Sequence, residues 1–189
     1  MHKLLIASCF TALTVASLSS ASANEFRLYS PDVESDGEID SSFEYDGFGC
    51  SGDNQSPELR WENPPPGTRS FAISVHDPDA PTGSGWWHWR VINIPSDVDH
   101  LAANAGAPDG SNMHEDAVQI RNDYGDKGWG GLCPPAHGEP HRYTFTVHAL
   151  DVETLDVPDD ASPAMAGFMI HQHRIHEAGF MATYTRYED

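Results

Sequence analysis

The sequence predicts a mostly β domain, antiparallel, with long irregular loops and one or two helices near its C-terminus. Three features predict it: segments where apolar and polar residues alternate with period two, breaker-rich stretches between them, and one well-signalled helix start. Residues 71–75 (FAISV) form the first candidate strand. Residues 89–94 (WRVINI) are more continuously apolar, as in a strand buried on both faces. The clearest alternation spans residues 142–150, with Tyr143, Phe145, Val147 and Ala149 facing one way and Arg142, Thr144, Thr146 and His148 the other. Residues 181–187 (MATYTRY) form the fourth strand. The intervening "ENPPPGT", "AGAPDGSN" and "GDKGWGGLCPPAHGEP" are too polar for a core and too rich in Gly and Pro for a helix. A helix starts where Ser162 can cap it and Pro163 needs no amide hydrogen. Met165, Phe168, Met169, Gln172, Ile175 and His176 then follow helical spacing, and Gly179 is expected to stop it.

The 189 residues suit a single domain, and no internal repeat or low-complexity linker divides them. Residues 1–23 have the layout of a cleavable export signal: Lys3, an apolar middle, then Ala21-Ser22-Ala23. That leaves one domain over residues 24–189, expected to be periplasmic or secreted. The apolar run is too short and too interrupted by Ser and Thr to span a bilayer, and no other stretch is apolar enough to cross one. Cys9 lies inside the signal.

The chain has 10 Lys+Arg against 29 Asp+Glu, a net charge of −19. Cleavage removes Lys3 and no acid, so the product is more negative still, with Lys127 its one lysine. Such a charge disfavours nucleic acid and anionic membrane surfaces as partners. An acidic, lysine-poor surface also suits a salty environment. The two cysteines outside the signal, Cys50 and Cys133, are expected to form a disulfide in an oxidising compartment, two buried thiols being the other arrangement. A bridge over so long a loop contributes about 4–5 kcal/mol by the chain-entropy model.

Eleven histidines raise the question of a metal. The densest group is His171, His173 and His176 in "HQHRIH". At about 100° per residue, His171 points away from the other two on a helix, so three ligands do not converge. There is no G-x-S-x-G elbow and no P-loop. No metal or cofactor is expected. What remains is a pair of loops with complementary chemistry. One, "DPDAPTGSGWWHW" (77–89), carries Asp77, Pro81, Trp86 and His88. The other, "GWGGLCPPAHGEPHRYTF" (128–145), carries Gly130, Gly131, Pro134, Pro135, His141 and Tyr143. Both flank strands that could aim them at one place. The glycines can expose amide hydrogens as an anion nest, His88 and His141 offer imidazole donors, and Tyr143 offers a hydroxyl. Trp86 and the prolines supply an apolar rim, and Asp77 can orient a histidine or hold an ammonium group.

Together with "FGCSGDNQSPELRW" (48–61) and "GFMIHQHRIHEAGFMATYTR" (167–186), these stretches resemble the phosphatidylethanolamine-binding protein family, and more narrowly its bacterial Raf kinase inhibitor-like branch. The resemblance spans nearly all of the chain after the signal. It implies an antiparallel Greek-key β-sandwich with short C-terminal helices and a small surface pocket for phosphate-like anions or phosphorylated and zwitterionic headgroups. It also implies that the ten residues just named line that pocket, and that the protein is a homodimer. Where some members carry adjacent histidines, this chain has Trp87-His88, and it adds His137 in the second loop. The expected function is that of an exported, non-catalytic binding protein. A protein-interaction or inhibitor module for a kinase or protease is the alternative, and a hydrolase ranks below both.

Overall fold

The computed structural model describes residues 25–187, so the expected export signal lies outside the described residues. Ten strands and one α-helix follow in the order β1 (Arg27–Tyr29), β2 (Asp46–Gly47), β3 (Cys50–Ser51), β4 (Leu59–Glu62), β5 (Ser70–Asp77), β6 (Trp86–Pro95), β7 (His100–Leu101), β8 (Val118–Gln119), β9 (His141–Leu150), α1 (Pro163–His173) and β10 (Arg174–Tyr184). A five-stranded sheet runs β10-β9-β5-β6-β8, with every neighbouring pair antiparallel. A three-stranded sheet runs β1-β4-β7, and β2-β3 form a separate ribbon.

The two larger sheets share one core. Leu28, Leu59, Trp61 and Leu101 from the smaller sheet pack with Phe71, Ile73, Val75, Trp89, Val91, Phe145 and Val147 from the larger. The alternation read along residues 142–150 places Tyr143, Phe145, Val147 and Ala149 in this core. A second, smaller core lies on the other face of the large sheet, where α1 buries Pro163, Ala166 and Ile170 over Ala72, Ile92 and Leu150. Burying side chains of this size contributes roughly 1.5–3 kcal/mol each.

The β5–β6 ladder slips by one residue between Val75 and His76: Val75 pairs with Trp89, but His76 pairs with Trp87. His88 is therefore the extra residue of a β-bulge, which turns the strand's face over. Trp89 enters the main core, while Trp87 and Arg90 look out of the opposite face.

The helix is shorter than the spacing predicts. Ser162 caps it, its Oγ accepting from the Met165 amide at 3.1 Å, and Pro163 opens it. It ends at His173, because Arg174 is already extended and pairs with Leu150 on β9. Ile175, His176 and Gly179 are strand residues. The ten-residue pairing with β9 also buries Phe180, Ala182 and Tyr184, which outweighs local helical spacing. Gly179 does not stop a helix; a β-carbon there would lie 2.5 Å from the Phe145 carbonyl oxygen, so glycine lets the strands close. Among the described residues α1 is the one α-helix, and it precedes the last strand.

His148, on the outward face of β9, is buried and its Nε2 lies 3.1 Å from Ser74 Oγ. Burial, with Arg90 and Arg174 nearby, pushes its pKa down to about 3. Glu177 Oε2, 3.3 Å from Nδ1, opposes this shift, but Glu177 is half exposed and already paired with Arg174. The unfolded chain therefore takes up a proton near pH 6.5 that the fold refuses. The stability this represents is complete above about pH 6.5 and is lost as the pH falls toward 3, by up to about 1.4 kcal/mol per pH unit. Buried His88, also lowered, acts with the same sign. Urea midpoints are expected to fall between pH 7 and pH 5, and His148→Gln is expected to flatten that slope; an unchanged slope refutes the assignment.

Candidate functional site

Strand ends bring the two loops together. Asp77 closes β5, His88 is the bulge of β6, and His141 opens β9, so all three lie at the same end of the large sheet. Asp77 is buried and accepts three hydrogen bonds. Its Oδ1 takes the amides of Asp79 (2.8 Å) and Ala80 (3.1 Å), and its Oδ2 takes His141 Nδ1 (2.7 Å). The "DPDAP" turn is thus folded around its own first side chain. A second clamp locks it to β9. Arg142 donates to Asp79 through its amide (2.9 Å), Nε (2.9 Å) and Nη2 (2.6 Å), and this pairing holds the Asp79 carboxyl down at about 2.

His88 is held from behind. Its Nδ1 lies 2.7 Å from the Gly130 carbonyl oxygen and 3.1 Å from that of Gly131. Two acceptors at one nitrogen require that Nδ1 carry the hydrogen. Burial lowers the His88 pKa, outweighing the carbonyls and Asp77, which raise it. A neutral ring then presents Nε2 as a lone pair, and this atom is buried with no partner among the described residues. His141 likewise uses Nδ1 on Asp77, and its Nε2 has no partner among the described residues.

Both imidazoles line one cavity of about 250 Å³. Asp77, Pro81, Trp86, His88, Pro134, Pro135 and His141 all border it, as the sequence predicts. Three expected residues do not. Tyr143 is fully buried one step deeper on the same face of β9 as His141, with its ring 5.2 Å from that of His88. Its hydroxyl lies near Asp77 without completing a hydrogen bond, and burial, helped by Asp77, pushes its pKa far up. Gly130 and Gly131 offer no anion nest. The Gly130 amide donates to the His88 carbonyl (2.9 Å) and the Gly131 amide to Asn54 Oδ1 (2.8 Å), leaving their carbonyls to face His88. Glycine is needed at 131 for room, since a β-carbon would sit 2.4 Å from the Tyr45 amide nitrogen.

The cavity also has walls that sequence reasoning missed: Phe48, Ala80, Thr82, Tyr124, Cys133 and Arg186. Tyr124 stacks on Tyr45 at 4.0 Å, meets the Trp86 ring edge-on at 5.0 Å, and donates its hydroxyl to Gly131 O at 3.0 Å. Phe48 is three-quarters exposed on the turn between β2 and β3. That ribbon is tied to the cavity by the Cys50–Cys133 disulfide, the bridge expected from the cysteine count. Arg186, next to the last described residue, brings a guanidinium to the rim and donates to the Gly49 carbonyl. A cation in a chain so poor in them was the available signal.

The remaining histidines separate. The His137 amide bonds to the Arg186 carbonyl (3.1 Å), and His173 pairs with Asp151 (3.0 Å). His176 lies on β10 with its Nδ1 on the Glu177 carbonyl (2.8 Å), and His171 faces a different cavity under α1.

Antiparallel sheets with a histidine- and proline-lined cavity at one sheet end define a class of fold, and the comparisons agree on the family. Residues 29–185 match the family described as Phosphatidylethanolamine-binding protein, and the chain belongs to that family. It is similar to the UPF0098 protein YbcL of Escherichia coli, 46% identical over 165 residues that cover 87% of this chain and 90% of that one. It is 44% identical to YbhB of the same organism, over 84% of this chain and 99% of that one. The crystal structure of E. coli YbcL, described as a new member of the mammalian PEBP family, superposes with a TM-score of 0.83 at 45% identity, covering 85% of this chain and 98% of that one. A homologue from Chlamydia trachomatis gives 0.72 at 29% identity, over 86% of this chain and 99% of that one.

The tautomer is directly measurable. Long-range ¹⁵N–¹H spectra at pH 7 are expected to show His88 with hydrogen on Nδ1 and an unprotonated Nε2. An Nε2–H signal for this ring would refute the account.

Proposed function

We propose that this protein is a non-catalytic binding protein whose cavity takes a small phosphorylated, zwitterionic headgroup. The observation that carries it is the pairing of unlike groups in one cavity. His88 Nε2 is a buried acceptor without a partner among the described residues, and His141, held at Nδ1 by Asp77, borders the same cavity. Arg186 adds a guanidinium at the rim. An ammonium or P–OH group satisfies the acceptor, and phosphate oxygens satisfy the donors. A cavity of about 250 Å³ lies below the range of roughly 300–1,000 Å³ that drug-sized ligands fill, which suits a headgroup.

Among the described residues, every hydroxyl and thiol group of the wall is engaged, which supports a binding role over hydrolysis by a hydroxyl or thiol nucleophile. Thr82 donates its hydroxyl to Gly85 O (2.5 Å), Tyr124 donates to Gly131 O, and Cys133 is in the disulfide. Phosphoethanolamine is expected to bind the wild type and to bind His141→Ala about tenfold or more weakly by calorimetry, the loss typical of a charged hydrogen bond. Inorganic phosphate and ethanolamine alone are expected to bind less tightly than the joined molecule. Equal binding by wild type and variant removes the cavity from the account.

Export and self-association belong to the same proposal. The export signal read in residues 1–23 and the disulfide both fit an oxidising compartment. Met165, Phe168 and Ile175 are exposed apolar residues that a second copy could cover. Intact-mass measurement with light scattering, on protein recovered from its host's extracytoplasmic fraction, is expected to give a chain beginning at Asn24 and a particle of twice its mass. A full-length cytoplasmic monomer refutes both.

A further inference from the structure

The opposite face of the large sheet holds a second cavity, of about 470 Å³, between the strands and α1. It shares no residue with the Asp77–His141 cavity, because the bulge at His88 sends Trp87 and Arg90 the other way.

Arg90 is the unusual feature. It is 4% exposed, yet no acid pairs with it among the described residues, and its guanidinium makes no hydrogen bond. Its one close partner is the Trp87 ring, 4.1 Å from Cζ. An isolated buried cation is costly unless something pairs with it. Burial draws its pKa down only to about 10, with Asp123 opposing, so the charge persists at neutral pH. The guanidinium borders the cavity, and the backbone of α1 crosses close above it. A β-carbon at Gly167 would lie 2.5 Å from Nη1.

The surroundings define the ligand. Among the described residues Glu177 is the one acid that lines this cavity, and it is engaged by Arg174. That pair contributes no net charge, so no acid lining the cavity compensates Arg90, and Asp123 acts on it only from outside the cavity. One negative charge balances Arg90; a dianion would overshoot. The hydroxyls of Ser74, Thr144 and Thr146 line the sheet side. Trp87, stacked with His76 at 4.0 Å, and the Pro163, Ala164 and Ile170 side of α1 give apolar walls. The volume exceeds what an inorganic ion fills.

We propose that this cavity is a second ligand site, in which Arg90 takes the carboxylate of a small monocarboxylic acid whose apolar body lies between Trp87 and helix α1.

Benzoate and inorganic phosphate are the probes, titrated by calorimetry and by thermal shift into the whole protein. Benzoate is expected to bind and raise the melting temperature of the wild type. It is expected to bind His141→Ala within about twofold of the wild type, since that residue serves the other cavity. Arg90→Met is expected to bind benzoate at least about tenfold more weakly. Without ligand, Arg90→Met is expected to melt at or above the wild type, because an apolar isostere removes an unpaired buried charge. Gly167→Ala supplies a second variant. Alanine favours the helix but crowds the guanidinium, so binding is expected to fall while stability does not. The proposal is overturned if wild type fails to bind benzoate at about 10 mM. It is equally overturned if Arg90→Met binds as well as wild type or melts well below it, or if Gly167→Ala binds unchanged. Loss of binding in His141→Ala, or phosphate binding more tightly than benzoate through Arg90, also overturns it.

Discussion

At His88 the β5–β6 ladder takes in one residue more on β6 than on β5, and this sets the phase of the β6 side chains from Trp89 to Val91, before a second shift further along the ladder. In an unbroken ladder Trp87 and Trp89 would share a face. With the bulge they part: Trp89 packs edge-on against Trp129 in the main core at 6.0 Å, and Trp87 stacks on His76 outside it. A one-residue slip would send Trp89 and Val91 to the solvent side and bring Arg90 into the core, so the register is strongly specified. The tryptophan collar around His88 is thus two walls of opposite faces, seen in sequence as one run.

The same bulge frees His88 from the ladder, and the strap at Gly130-Gly131 fixes what the ring can then do. The strap comes close because glycine at 131 lets it pass beside Tyr45. It stays there because Leu132 exchanges backbone bonds with the 43–45 segment and Cys133 is bridged to Cys50. Closing a loop of sequence separation 83 is worth about 4–5 kcal/mol in the chain-entropy model. The carbonyls so placed decide the tautomer, and the tautomer turns His88 from the donor its residue type suggests into an acceptor. The two histidines are backed differently: a carboxylate holds His141 at Nδ1, whereas two peptide oxygens hold His88 at its own Nδ1.

Much of this was legible from residue types in order. The period-two faces of residues 142–150, the Ser162-Pro163 helix start and the disulfide follow from sequence patterns that local physics makes reliable, whereas the list of cavity residues was implied by the family resemblance. The failures have a common cause. The helix end, Gly179 and the burial of Tyr143 depend on which strand pairs with which, and that is decided by contacts far apart in the chain. Tyr143 reads as a donor beside His141, but two residues along a strand is a full step from the open sheet end into the core. Tyr124 reaches the cavity from a segment without a motif, and Phe48 and Arg186 lie at the ends of stretches that carry the resemblance but do not by themselves mark a cavity wall. Arg90 is the instructive case, since in "WWHWRVINI" it reads as a polar interruption of a buried strand.

A net charge of −19 would seem to bar anionic ligands from both faces, and the placement of the acids answers this. Beyond about 8–10 Å exposed charges are largely screened at physiological ionic strength, so a bound ligand feels mainly its nearest groups. Near the two cavities the nearest acids are already occupied: Asp77 by two amides and His141, Asp79 by Arg142, Glu177 by Arg174, and Asp123 by the Trp87 amide. The acids that set the total lie elsewhere. A polyanion spans many screening lengths and meets the whole surface, whereas a small ion meets only the pocket it enters. The charge distribution therefore discriminates by size: it repels long phosphate backbones while leaving a guanidinium or imidazole within reach of a single acidic group.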